Sequence, residues 1–176
     1  MTNFSKLGRA LALLASGIAI FGASAPALAD GLASLWVEGF NNKARLLAGR
    51  AAFSGKDSVY AAVEIVMPAG WKTYWRSPGD AGIPPSFHWS GSQNVKSVRL
   101  HWPAPEVFQA NGMQTIGYHD QLLLPVEVVP LDPSQPVHLA VRVDLGVCDE
   151  ICMPASLDLS SDLPAPGDPD PGIRAA

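Results

Sequence analysis

Two cysteines, Cys148 and Cys152, stand with three residues between them in the run Gly146-Val147-Cys148-Asp149-Glu150-Ile151-Cys152-Met153-Pro154-Ala155. Thiols at this spacing readily reach disulfide geometry, in which the Cα atoms lie roughly 4.4–6.8 Å apart. Closing so short a ring constrains the unfolded chain by only about 2 kcal/mol, against about 4.7 kcal/mol for a ring near 100 residues. A staple would do more by spanning distant strands. Short rings also tend to be strained, and strained, exposed disulfides are the exchangeable ones. The spacing leaves two readings open, a local clip on a hairpin and a reactive pair, because exposure and thiol pKa decide between them. Asp149 and Glu150 lie between the thiols, and negative charge there disfavours the thiolate. A redox-active pair in that setting is a mild reductant or relay, not a strong oxidant.

Other chemistry is sparse. His88, His101, His119 and His138 are scattered, with no pair four residues apart and no His-x-His. Lone histidines are more often hydrogen-bonded surface or core residues than ligands. Soft ligands could gather from Cys148, Cys152 and Met153, with Met113 or His119, a set that would suit Cu(I). There is no Ser-His-Asp arrangement and no glycine-rich phosphate loop. Trp89 and Trp102 read as core aromatics, whereas Tyr74, followed by Trp75 and Arg76, suits a polar-tipped surface near a site. The segment from Pro105 to Met113 reads as a long hairpin connection with Phe108 tucked under the sheet, or as a flap over a reactive group.

The elements that must position these residues read as strands. Val137, Leu139, Val141, Val143 and Leu145 alternate with more polar neighbours, the period of a half-buried strand. Gly146 weakens that strand and Pro154 cannot continue a ladder, which puts the cysteines at a tight turn or strand edge. Ala44 to Phe53, Val59 to Met67, Trp71 to Trp75, Ser86 to Trp89 and Val98 to Trp102 are further strand candidates. Leu122 to Val129 contains Pro125, which predicts an edge strand or a bulge. Leu157 and Leu159 suggest a closing strand. With no helical stretch after the first thirty residues, the expectation is an all-β antiparallel β-sandwich.

The chain of 176 residues divides into three parts by composition. Lys6 and Arg9, an apolar run to about Phe21 and Ala27-Leu28-Ala29 predict a cleavable export signal over residues 1–29. The apolar run is too short to span a bilayer. Residues 30–160 form one domain, and Ser161 to Ala176, rich in proline, is expected to be a disordered tail. Without the signal, ten basic residues stand against sixteen acidic ones, a net charge of −6. A mildly acidic protein with no basic cluster lacks the electrostatic footprint of a nucleic-acid or anionic-lipid binder.

An ordered set of motifs then stands out. Gly70-Trp71-Lys72-Thr73-Tyr74-Trp75-Arg76, Gly82-Ile83-Pro84-Pro85, Trp102-Pro103-Ala104-Pro105, Gly117-Tyr118, Leu124-Pro125-Val126 and the stretch around the two cysteines resemble the amino-terminal periplasmic domain of DsbD-type thiol:disulfide interchange proteins. The resemblance runs from about Leu35 to Leu159 and is greatest to the ScsB-like branch. It implies an immunoglobulin-like sandwich in the periplasm whose Cys148 and Cys152 pass electrons by thiol–disulfide exchange, with no cofactor. By the same resemblance Phe108 is the aromatic of a cap loop, Glu106 stands for a cap-loop acid, and Tyr74 lies beside the pair. The implied partners are thioredoxin-like or isomerase proteins and a membrane-embedded thiol reductant. The implied roles are disulfide reduction, cytochrome c maturation or copper tolerance. The best-studied members have five residues between the cysteines rather than three. The family's membrane and thioredoxin-like domains have no counterpart here, so the expectation is a domain that borrows its reductant from another protein. The rival readings are a Cu(I)-binding copper-tolerance accessory and an immunoglobulin-like interaction domain with an inert clip.

Overall fold

The computed structural model describes residues 33–49, 57–110 and 112–166. The segment read as an export signal lies outside them. Every regular element among the described residues is a strand, and none is a helix able to cross a membrane. In chain order these are β1 (Val37–Gly39), β2 (Asn42–Ala48), β3 (Val59–Val66), β4 (Lys72–Gly79), β5 (Ser86–His88) and β6 (Val95–Leu100). Then come β7 (Glu106–Ala110), β8 (Met113–His119), β9 (Gln121–Pro130), β10 (Val137–Cys148) and β11 (Cys152–Leu163).

Two antiparallel sheets face one another as an immunoglobulin-like sandwich. One runs β1-β2-β3-β9-β6; the other runs β11-β10-β4-β8-β7, with β5 also paired to β10. The period of two explains the layering. In β10 the residues Val137, Leu139, Val141, Val143, Leu145 and Val147 are buried, and in β9 Leu122, Leu124, Val126 and Val128 meet them from the other sheet. Burying each such aliphatic side chain contributes about 1.5–3 kcal/mol. Trp71, Trp75, Trp89 and Trp102 pack half-buried around this core. Tyr118 stacks on Trp102 at 6.5 Å and donates its hydroxyl to the Pro103 carbonyl. Burial pushes the Tyr118 phenol up to about 12, against a smaller lowering by Arg76. The neutral phenol is therefore the form the fold favours, and its share of stability is lost as pH rises from about 10 through about 12.

Three sequence expectations need correction. Pro125 is neither at an edge nor at a bulge: β9 lies inside its sheet, and Pro125 pairs with Ala62 of β3. Its carbonyl accepts from His101 N on the β6 side, just beyond the last paired residue Leu100, so the missing donor falls where β6 has ended. Pro154 lies within a ladder, opposite Gly146. β11 is the outermost strand, and a proline whose absent N–H faces outward loses no ladder bond there. The stretch from Pro105 to Met113 is largely strand, because β7 and β8 form a hairpin pairing Glu106↔Gly117 through Ala110↔Met113.

Boundaries also moved. β11 carries order to Leu163, whose side chain is buried, so the first residues of the expected tail belong to the sandwich. Residues 167–176 of that tail lie outside the described residues, as do residues 50–53 of the strand candidate from Ala44 to Phe53.

Neighbouring leucines on β9 test the layering. Leu124 is fully buried and Leu123 is 47% exposed. Leu124→Ala should lower the urea-derived unfolding free energy by about 3 kcal/mol, and Leu123→Ala by under about 1 kcal/mol.

Candidate functional site

β10 and β11 form a hairpin of twelve paired positions, the last of which is Cys148↔Cys152. The two cysteines are therefore direct cross-strand neighbours flanking the turn Asp149-Glu150-Ile151. They are joined as a disulfide with Cα atoms 4.1 Å apart. Pleat alternation puts Cys148 on the opposite face of β10 from Val147, away from the core. Directly opposed residues share a face. Lys72 of β4 pairs with Cys148 on one side and with His119 of β8 on the other, and Tyr74 pairs with Gly117. One outer face thus carries Cys152, Cys148, Lys72, Tyr74 and His119.

The bond is asymmetric. Cys148 is 0% exposed although it faces outward, whereas Cys152 is exposed. Tyr74 is 3% exposed and sets its hydroxyl 3.4 Å from Cys152 Sγ. Burial raises the Tyr74 phenol pKa, so the hydroxyl keeps its proton and can donate to sulfur. On the core side Thr73 Oγ1 donates to the Gly146 carbonyl at 2.9 Å, tying β4 to the last turn of residues before Cys148.

Two further segments bring side chains to this face. In the loop after β4, Ile83 lies so close to Gly146 that an added Cβ there would be 2.8 Å from Ile83 Cβ. The root of that loop is pinned to β8, since Asp80 N donates to the Gln114 carbonyl and Gln114 N to Asp80 Oδ2, each at 2.9 Å. The second segment is the β7–β8 hairpin. Its Phe108 ring rests on His119 with centroids 4.3 Å apart and lies under the Lys72 ammonium at 5.6 Å. Glu106 reaches back to His119 Nδ1 at 3.5 Å. At Gly117 the β4 and β8 backbones approach so closely that any Cβ would strike the Thr73 carbonyl oxygen.

Of the residues singled out in the sequence, Cys148, Cys152 and Tyr74 meet directly. Phe108 and Glu106 join the same face through His119 and Lys72. Asp149 and Glu150 sit exposed in the turn. The soft-ligand set is not assembled: Met153 pairs with Val147 and so lies on the face opposite the two sulfurs. Met113 is six residues along β8 from His119. Lys72 and Ile83 are residues that sequence reasoning did not bring to the site, and His119 entered it only as a soft-ligand candidate. The signal for Lys72 and Ile83 was membership of the quoted motifs around Trp71 and Gly82, and His119 lies just after the Gly117-Tyr118 motif. A disulfide with one sulfur open and the other enclosed is chemically suited to attack by an external thiolate at the open sulfur.

No curated protein matches the chain. The crystal structure of the N-terminal periplasmic domain of ScsB from Proteus mirabilis superposes on it with a TM-score of 0.61 and 27% sequence identity, over 82% of this chain. The chain spans 55% of that solved domain. A family profile, Thiol:disulfide interchange protein DsbD, N-terminal, matches residues 43–164. That match starts within β2 and stops just after β11, so nearly the whole sandwich and both cysteines fall inside it, and the chain belongs to the family of DsbD N-terminal domains.

Proposed function

We propose that the chain is a periplasmic thiol–disulfide relay working through Cys148 and Cys152. The observation that carries this reading is the asymmetry of the bond, open at Cys152 and enclosed at Cys148. The family match and a solved relative that is itself a periplasmic domain support it, together with the amino-terminal segment read as an export signal.

A thiolate of a reduced partner attacks Cys152 Sγ. The Cys148–Cys152 bond breaks, Cys148 leaves as a thiolate that takes up a proton, and a mixed disulfide joins Cys152 to the partner. The partner's second thiolate attacks its own sulfur in that bond, and Cys152 is released. Two electrons have entered the pair, and the partner dithiol has become a disulfide. In the forward half-reaction the Cys152 thiolate attacks the disulfide of a client, and Cys148 resolves the mixed disulfide. Tyr74 donates a hydrogen bond to Cys152 sulfur when it carries charge, which offsets the unfavourable field of Asp149 and Glu150. The partners of this chemistry are a thiol reductant on one side and thioredoxin-like or isomerase proteins on the other.

Trapping separates the roles of the two sulfurs. Cys148→Ala, which keeps the open thiol, should accumulate mixed disulfides with a partner or a model disulfide, whereas Cys152→Ala should not. In the reduced protein Cys152 should alkylate at least about tenfold faster than Cys148. A reduction potential well below about −300 mV, with no trapped adduct, would identify a structural clip instead.

The phenol has its own signature. Tyr74→Phe should raise the Cys152 thiol pKa by about 0.5–1 unit, since one hydrogen bond to an ionised group is lost, and the pH profile of alkylation reads the change.

A further inference from the structure

We propose that the turn Asp149-Glu150-Ile151 selects the partners of the open sulfur by charge: exchange at Cys152 is fastest with cysteines set among cationic groups. This rests on the relay reading above and names the class of partner it serves. Both turn carboxylates are exposed, as is Cys152, and Asp149 N donates to the Ile151 carbonyl at 3.3 Å within the turn. Consecutive Cα atoms lie about 3.8 Å apart, so each acid stands within roughly 8 Å of a bonded cysteine, counted between Cα atoms. The two cysteine Cα atoms are themselves 4.1 Å apart. Among the described residues no basic side chain pairs with Asp149 or Glu150.

The route of approach passes these charges. Displacement at a disulfide puts three sulfurs nearly in line, so attack on Cys152 with Cys148 leaving comes from the side away from β10. β11 is outermost in its sheet, and no further strand of that sheet lies there among the described residues. The other charges of this face are paired or turned away. Lys72 sets its ammonium over the Phe108 ring at 5.6 Å, towards β7 at the opposite edge. Glu106 lies at that edge too, 3.5 Å from His119 Nδ1. Asp144 accepts from Ser156 and lies 3.4 Å from Arg142 Nε, and Asp158 lies 3.9 Å from Arg142 Nη1. Asp149 and Glu150 are left as the uncompensated pair beside the reaction. Exchange brings a thiolate's negative charge into their field, and a cationic group on the partner offsets the repulsion.

The test uses the reduced full chain with two small disulfides, cystamine, which carries two ammonium groups, and dithiodiglycolate, which carries two carboxylates. The Cys152 thiolate attacks one sulfur of the reagent, whose other half leaves as a thiolate and takes up a proton. Cys148 then resolves the mixed disulfide and releases the second half, so the protein loses two electrons and the reagent becomes two thiols. The quantity read is the cystamine rate divided by the dithiodiglycolate rate at one pH, a quotient in which the titration of Cys152 cancels. Comparing the quotient between proteins cancels the reagents' own reactivity. The wild-type quotient should exceed that of the double variant Asp149→Asn, Glu150→Gln by about fivefold at about 20 mM ionic strength, and by under about twofold in about 1 M salt. Asp162→Asn, at the far end of the same hairpin, should leave the quotient at its wild-type value. A quotient equal in the wild type and the double variant at low salt, or one that Asp162→Asn lowers as much, overturns the inference while leaving the relay standing. A wild-type quotient that salt does not change overturns it too, and needs no variant to fold. Failure of the relay reading looks different: neither reagent exchanges with the wild type, and the inference falls with it.

Discussion

The register of β10 on β11 is the constraint from which the rest of the structure follows. Twelve residues of each strand are paired without a slip, from Val137↔Leu163 to Cys148↔Cys152. A shift by one residue would turn every core aliphatic of β10 outward and send Cys148 into the core. β10 also pairs with β4 and β5, so one strand fixes the hairpin, the central strand of its sheet and the loop that returns over it. The buried valines and leucines of β10 and β11 supply far more free energy than the about 2 kcal/mol that a five-residue ring can add. The sulfur bridge is thus not what holds the hairpin together, which leaves it free to open.

The side chains that share the outer face with the disulfide come from separate segments. Ile83 comes from the loop after β4, and the Phe108–His119–Glu106 group comes from the far edge of the sheet. The two are coupled at β8, where Asp80 and Gln114 exchange hydrogen bonds and where Gly117 lets β4 and β8 close up. The electrostatics oppose one another on the same face. The carboxylates of the turn stand near the open sulfur, the Tyr74 hydroxyl points at it, and Lys72 lies alongside the enclosed one.

Much of the sandwich was legible because its strongest strands alternate without interruption. Val137 to Leu145 and Val59 to Met67 declare their buried faces by period alone. β8 did not, since Met113-Gln114-Thr115-Ile116-Gly117-Tyr118-His119 mixes polar residues with a glycine and shows no clean alternation. Proline misled twice for the same reason. Pro125 and Pro154 each lack a donor, but whether the loss matters depends on which neighbour the N–H would face, a fact of tertiary pairing. The cysteines were visible as chemistry from their spacing, while the difference in their exposure was not. That difference depends on tertiary pairing, since the neighbours of the two cysteines, Lys72 and Tyr74, come from β4, far away in the chain.

The closeness of Cys148 and Cys152 at the end of an intact ladder has a consequence for the proposed relay. Thr73 holds Gly146, and Val147 is buried opposite Met153, through contacts that involve neither sulfur. Loading or unloading two electrons then rearranges a few atoms at the tip and leaves the framework alone, so reorganisation is small in both directions. Such a carrier does not broadcast its redox state through its shape. The direction of flow is left to the difference in driving force between successive encounters.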